Sequence, residues 1–530
     1  MFTDSVKSTL TLTIKGQRYA IAGGNIKVCR LDMNTGGYRG ELTFWLSDEL
    51  GSDKLTGAFV SEQLIKIELS LQQYTYSKTL LGDALTLTGL VGSRSVREQQ
   101  YIDVKDRKIC FRQYRCEFTD AAQFIWRQHF PCELYVDKTF KQVICAQQVD
   151  GIDIEFNWPP LEEVKPMICL SQGATGGSFY DFLTDYLARN RAFWWYDYSK
   201  NSYVISEEKS KLGDTLSFLP HQIQHLELTY PTTDIKSQNL LNGHSEQAKI
   251  TTVKQNPLLQ GIKNDRLIVT PFAKTVEAQK TLQSQLCEPK QPQLTFTLNL
   301  FPLKPVFPGA GLKLNHGLWS KESLFYQKPY RVIECHLDLS AVEQEPQHDL
   351  NGSFTQYNSQ YYCRFEEQTD NSGGTTSLPP KPCFVEGVIV SEPGEKNDKT
   401  YQYQQNENTK QLEYRIHIPL WEQEINLLFK PDFLPPHFYF PLYKGCRVEL
   451  QMNLFEARIC RVLDWGERVF FEQDTQGNHL LMGKNAKDET SIRHVYEDNK
   501  PVLSIKRVKD NDTELVKLQD GKITFQTQEE

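Results

Sequence analysis

Residues 176–206 read GGSFYDFLTDYLARNRAFWWYDYSKNSYVIS. Phe179, Phe182, Leu183, Tyr186 and Leu187 recur at the i, i+3, i+4, i+7, i+8 spacing that lines one face of an α-helix. Ser178 stands one residue before that pattern with Asp181 three residues on, so its hydroxyl is placed to accept from the unsatisfied N–H groups of the first turn. Asn190 is placed to end the helix in the left-handed conformation. Residues 193–198, FWWYDY, then read as a buried aromatic strand, and a polar turn at 199–202 leads back into Tyr203, Val204 and Ile205. A helix followed by a hairpin is the unit that the flanking segments must accommodate.

The chain has 530 residues, enough for roughly three or four domains of ordinary size. Hydrophobic residues make up 39% and aromatics 12%, with Tyr and Phe abundant and Met scarce, a balance that suits a β-rich protein better than a helical bundle. The net charge is −8 without any Lys/Arg block, so nucleic acid is not an expected partner. The opening MFTDSVKSTLTLTIKG lacks a basic stretch followed by an apolar core, and nowhere do about 18 apolar residues run together. This predicts a chain with neither a Sec signal nor a spanning helix. The 12 cysteines form no C-x-x-C pair and fall mostly inside apolar runs, the pattern of buried reduced thiols rather than a disulfide framework.

Short alternating segments fill the first 90 residues: 10–14 (LTLTI), 26–28 (IKV), 41–46 (ELTFWL), 64–69 (LIKIEL) and 85–91 (LTLTGLV), with Gly23-Gly24 and Gly36-Gly37 between them. That spacing predicts a closed barrel or a sandwich. Residues 207–290 are polar and weakly periodic, and read as loops and long hairpins. Strand character returns at 294–298 (LTFTL), 312–314 (LKL) and 330–337 (YRVIECHL). Residues 366–382, EEQTDNSGGTTSLPPKP, have almost nothing apolar to bury and read as a linker. After it, 384–390 (FVEGVIV), 414–418 (YRIHI), 443–450 (YKGCRVEL) and 457–463 (ARICRVL) predict a small barrel of the oligonucleotide/oligosaccharide-binding type.

The tail, 478–530, alternates short apolar runs (502–505, 515–518, 523–525) with Asp/Asn/Gly turns. Alone it has too few apolar residues to close a core and would expose strand edges. Three copies wound about an axis would cover those edges and bury Leu503, Ile505, Leu518, Ile523 and Phe525 at the centre.

Catalytic and ligand motifs give little. His221 and His225 stand at i and i+4, but Gln222 occupies the place where a zinc protease needs Glu, and Pro220, Leu226 and Leu228 suggest strand geometry. Residues 173–177 are glycine-rich without a following Lys-Ser/Thr, and neither G-x-S-x-G nor G-x-G-x-x-G occurs. No catalytic, metal or cofactor site is predicted.

Two separated stretches carry a resemblance. Residues 178–206 pair an S-x-x-D-F-L helix with a strand of consecutive aromatics, and residues 114–144, YRCEFTDAAQFIWRQHFPCELYVDKTFKQVI, place Trp126, Arg127 and Asp137-Lys138-Thr139 in order, with 139–144 as a short helix. Together they resemble the hub module shared by the type VI secretion spike protein VgrG and the baseplate hubs of contractile-tailed phages. Pro308-Gly309, Tyr330 and Val332 fit the close of that hub, and residues 441–448 fit the barrel that joins hub to needle. The resemblance implies a mainly β fold: an α+β hub of two barrel-like subdomains with short helices in 1–365, a linker at 366–382, an OB-fold barrel at 383–477 and a trimeric β-helical needle at 478–530. It implies a non-enzymatic homotrimer of a contractile injection system, assembled in the bacterial cytoplasm and ejected on sheath contraction. The implied partners are an inner-tube protein, baseplate proteins, a PAAR-like tip protein and effectors, with transient membrane penetration. The competing reading is a carbohydrate-binding or glycan-degrading β protein with Trp194 and Trp195 as a sugar platform.

Overall fold

The computed structural model describes residues 3–48, 52–74, 83–102, 108–171, 177–209, 215–245, 248–255, 261–287, 290–314, 319–370, 382–390, 404–406, 412–428, 442, 444–464, 477–485 and 487–529. The fold is mainly β with short helices. The chain divides into two compact units: Met1–His129 with Gln147–Pro160 and Ser178–Leu378, and Phe130–Ala146 with Leu161–Gly177 and Pro379–Glu530. Two excursions from the sequence-defined hub, 130–146 and 161–177, therefore belong to the same unit as the C-terminal residues. Most of the linker at 366–382 lies outside the described residues, as do the glycines at 173 and 176.

The first unit is built on a closed barrel. Thr3–Ile14 pairs with Ile65–Gln73, that strand with Leu85–Ile102, then Lys108–Thr119, Gly37–Asp48 and Ile26–Asn34 follow in turn. Pro329–Ala341 continues from Ile26–Asn34, and Phe354–Glu367 pairs with both Pro329–Ala341 and Thr3–Ile14, which closes the ring. Alternation places Leu10, Leu12, Ile67, Leu69, Leu85 and Leu87 inside; each is worth about 1.5–3 kcal/mol when fully removed from water. Bulges at 26–28, 91–94 and 332–334 interrupt the ladders where the strands bend. The distant strands at 329–367 are thus staves of the same barrel as residues 3–119.

The 178–206 unit grips this barrel at one hairpin. Its helix is Phe179–Arg189, capped by Ser178, whose hydroxyl accepts from the Asp181 N–H at 3.2 Å and donates to the Asp181 carboxylate at 2.7 Å. Phe179, Phe182, Leu183 and Leu187 are buried. The helix end differs from expectation: Asn190 is not left-handed (φ −97°), and Arg191 takes that role at φ 57°. Asn190 uses both its backbone N–H and its side-chain amide on the Tyr186 carbonyl, so the reversal is deferred by one residue. Phe193–Asp197 and Ser202–Ser206 form the expected hairpin, extended in parallel by Ile154–Asn157. From this unit Tyr180 and the Trp194 indole donate to the Gly36 carbonyl, each at 3.2 Å, and the Tyr198 hydroxyl reaches the carbonyls of Asn34 at 2.8 Å and Gly37 at 2.5 Å.

Asp120 sits beneath that grip, fully buried. It caps the Ala121–Trp126 helix through the Gln123 N–H, accepts from the Tyr38 N–H at 3.1 Å and from the Gln123 side-chain amide at 2.7 Å, and takes the Tyr203 hydroxyl at 2.7 Å. Burial pushes its carboxyl above the ordinary range, and the hydrogen bonds from Tyr203, Gln123 and Tyr38 hold it down in part. Gly37, at φ +142°, leaves room for this carboxylate: a Cβ there would lie 2.2 Å from Asp120 Oδ2.

In the second unit Glu133–Thr139 pairs with Val164–Leu170. The helix expected at 139–144 runs Phe140–Ala146, because Thr139 is its cap: Thr139 Oγ1 accepts from the Gln142 N–H at 3.1 Å while Gln142 Oε1 accepts from the Thr139 N–H at 3.0 Å. Leu134, Met167 and Cys169 share a core with Ile389, Tyr414, Ile416, Ile425, Val448 and Leu450. The latter belong to a six-stranded antiparallel sheet, in which Cys383–Val390 lies between Leu412–Ile418 and Arg447–Met452. Of the residues at 441–448, Pro441 and Tyr443 lie outside the described set.

The polar 207–290 interval holds more regular structure than its composition suggests, including the strands Ser237–Asn242, Lys249–Lys254 and Lys263–Ile268 and the helix Ala273–Leu286. None of that helix's residues is fully buried, and its sequence shows no clear apolar stripe.

Gly37→Ala and Asp120→Ala are both expected to lower the stability of the first unit by about 2–4 kcal/mol. One displaces the carboxylate and the other strands its donors; the measurement is denaturant unfolding followed by tryptophan emission. An unchanged midpoint for both would remove Asp120 from its structural role.

Candidate assembly interface

The five strands Gly477–Asn485, Asp488–Glu497, Lys500–Lys509, Asp512–Gln519 and Lys522–Gln528 form an antiparallel meander in chain order. Its turns are set by local chemistry. Asp498 and Asn499 take φ 47° and 61°, and Asp520 and Gly521 take φ 50° and 73°, the left-handed pairs that suit two-residue hairpins.

Register sorts the side chains by face. Leu480, Ile492, Ile505, Val516 and Phe525 are direct cross-strand neighbours in one row across all five strands. His494, Leu503, Leu518 and Ile523 make the adjacent row, two residues along and so on the same face. The five residues singled out from the sequence, Leu503, Ile505, Leu518, Ile523 and Phe525, all lie on this one face. They are exposed in the single chain, from 37% at Leu503 to 77% at Phe525. The other face mixes Arg493, Ser504, Lys506, Lys517 and Gln526 with Val495, Val502 and Leu515. Among the described residues of the meander only Ser491 and Val502 are buried. Leu480, Ile492 and Val516 complete the apolar row and were not singled out; the strand register they needed is invisible until the turns are placed.

Arg507 and Glu514, paired at 3.2 Å, border the apolar row on the same face, whereas Lys517 with Glu497 at 2.6 Å lies on the other face; Lys500 pairs with Asp520 at 3.0 Å. Exposed pairs of this kind contribute about 0–1 kcal/mol each. An apolar face of this breadth with a charged border is the composition of a surface that another protein layer covers.

The other sequence candidates fall elsewhere. His221 lies in the turn Pro220–Gln222 and His225 on the strand Ile223–Thr229. Among the described residues no three His, Cys, Asp or Glu side chains are grouped to hold a metal. The structure does not support Trp194 and Trp195 as an open sugar platform: the residues are 8% and 4% exposed, and the Trp194 ring is stacked on Tyr203 at 4.8 Å. The Trp195 side chain does line a cavity of about 440 Å³ with Tyr198, Phe307 and Pro308. All twelve cysteines are free thiols, but the expectation of burial holds for only half: Cys132 and Cys145 are exposed, and Cys110, Cys287, Cys383 and Cys460 are partly covered. No described helix is long and apolar enough to cross a membrane.

Comparison with solved structures adds the next observation. The chain is similar to a chain of the Francisella PdpA–VgrG complex in its half-lidded form, with TM-score 0.75 and 13% identity over 99% of this chain and 88% of that one. The fold is shared from end to end. The lidless form of the PdpA–VgrG complex gives TM-score 0.74 at 12% identity, covering 100% of this chain and 99% of that one, and the lidded Francisella form gives 0.74 at 12%, covering 100% and 80%. No family model and no curated protein matches the sequence.

In a dilute single chain, Phe525→Ser is expected to leave the meander within about 0.5 kcal/mol of its starting stability, whereas Val502→Ala is expected to cost about 1 kcal/mol through the lost buried methyls. Hydrogen exchange of peptides from 477–529 reads both. A large loss from Phe525→Ser under dilute conditions would mean that the face is already covered.

Proposed function

We propose that this chain is a non-enzymatic hub subunit of a contractile injection machine and that it acts as a homotrimer. The observation that carries the reading is the apolar face of the 477–528 meander, which the single chain leaves open. Threefold winding would set Leu503, Ile505, Leu518, Ile523 and Phe525 of each copy against those of its neighbours and cover the outer edges of Gly477–Asn485 and Lys522–Gln528, which have no strand partner among the described residues. The end-to-end likeness to a chain of a PdpA–VgrG complex supports the same class of assembly.

On this reading residues 1–365 form the hub that meets the inner tube and baseplate, 383–477 form a linking barrel and 478–530 a short needle. A PAAR-like tip protein would cap the needle and effectors would travel with it. The particle is assembled in the bacterial cytoplasm and leaves when the sheath contracts. Its task is mechanical: to transmit an axial load and pass through a target membrane without unfolding, for which interlocked strands serve better than a hinged site.

A second reading takes its support from the partnership in the similar complexes, which hold PdpA together with VgrG. There the chain is a hub whose meander docks a separate VgrG-type needle instead of forming the needle itself.

Native mass spectrometry of the purified chain is expected to give three times 61.3 kDa, and Ile505→Asp with Leu518→Asp is expected to reduce it to a single chain with the hub still folded. A wild-type chain that stays monomeric, alone and with its tube subunit, would overturn the trimer. A trimer that forms only after a VgrG-type chain is added would favour the second reading.

A further inference from the structure

One titratable side chain stands inside the two apolar rows of the meander. His494 lies directly opposite Leu503 on one side and Asn478 on the other, and its row continues through Leu518 and Ile523. Ile492, two residues before it, belongs to the neighbouring row of Leu480, Ile505, Val516 and Phe525. Tyr496, two residues after it, meets the imidazole edge-on with ring centroids 5.5 Å apart. Among the described residues that ring contact is the whole of the imidazole's company, and neither nitrogen has a hydrogen-bond partner.

The charged groups around it are turned away or remote. His479 and Arg493 oppose each other and project from the other face. Arg507 and Glu514 share the face of His494 but lie two rows away, beyond Ile492 and Ile505, and are paired with each other. At the opposite end Asp498 and Asp520 sit in the turns, and Asp520 is engaged by Lys500 at 3.0 Å. No carboxylate on either neighbouring strand faces His494. Half-buried in the single chain, the ring can be hydrated when it is charged. Once another apolar row covers it, an imidazolium among Leu and Ile side chains has nothing to replace that water.

We propose, resting on the trimer reading above, that His494 makes assembly of the needle pH-sensitive. The three copies close their apolar faces at neutral and higher pH, with every His494 uncharged, and open as the surroundings become acidic. Each chain that separates takes up one proton from solvent, so one trimer takes up three, and no covalent bond changes. The sign follows from linkage: the covered state excludes the proton, so association is fully present above the pH at which an open imidazole titrates, near 6.5, and is lost as pH falls through it. At pH 5.5 an imidazole that titrates near 6.5 when open and stays neutral when covered makes assembly about tenfold harder per copy, or about 10³-fold for three.

Sedimentation equilibrium of the full chain at pH 7.5 and pH 5.5, at one ionic strength, tests this, with tryptophan emission reporting that the hub stays folded. The wild-type association constant is expected to fall about 10³-fold between the two. His494→Phe and His494→Gln are each expected to form trimers at both pH values, with a change below tenfold, while His479→Gln keeps the wild-type dependence. A wild-type trimer equally tight at both pH values, or His494 variants that keep the wild-type dependence, would overturn the role of His494 and leave the trimer standing. A wild-type chain that is monomeric at pH 7.5 would overturn the trimer and this role with it.

Discussion

Closure of the first barrel depends on residues from opposite ends of the first unit finding one another. Phe354–Glu367 must pair with Thr3–Ile14 on one side and with Pro329–Ala341 on the other before the ring has no free edge. A sheet made only of residues 3–119 would expose the ladders of Thr3–Ile14 and Ile26–Asn34. The long-range staves remove both at once, and the thin hairpin at residues 34–37 is then stable enough to be gripped by Tyr180, Trp194 and Tyr198. Asp120 works at this same place. Its carboxylate is costly to bury, and it is held by donors from the hairpin, from its own helix and from Tyr203.

The two ends of the chain use the same strand alternation to opposite effect. In the barrel, Leu10, Leu12, Leu69 and Leu87 point into a closed space. In the meander, Ile505, Val516, Leu518 and Phe525 occupy equivalent alternate positions, but the sheet is open and nothing among the described residues lies across it. Side-chain periodicity specifies which face is apolar; only a second layer makes that face a core. The exposed row therefore carries more functional information than the buried ones, which any stable barrel would need.

Much of this was legible in the residues. The Ser178 cap, the apolar stripe of Phe179–Arg189, the aromatic hairpin and the alternation in the first 90 residues each rest on local rules that tertiary contacts reinforce. The site row was legible as residue identities but not as register, which needs the Asp498-Asn499 and Asp520-Gly521 turns fixed first. What escaped was non-local. That 133–139 and 164–170 share a core with residues 389–450 has no signature in spacing. The helix Ala273–Leu286 escaped for the opposite reason: none of its residues is fully buried, and its partly covered side mixes Val276, Leu282 and Leu286 with Gln279 and Gln283, so no clear apolar stripe is written.

The barrel's far-sequence staves also bear on synthesis. A ribosome releases residues 3–119 well before Phe354–Glu367, and at about 5–20 residues per second the interval is on the order of tens of seconds. During that time the nascent segment carries two unsatisfied ladders, an invitation to mispairing between neighbouring chains on one message. A polypeptide of this design profits from a holding chaperone and from slow commitment, since the last staves to emerge are the ones that end its vulnerability.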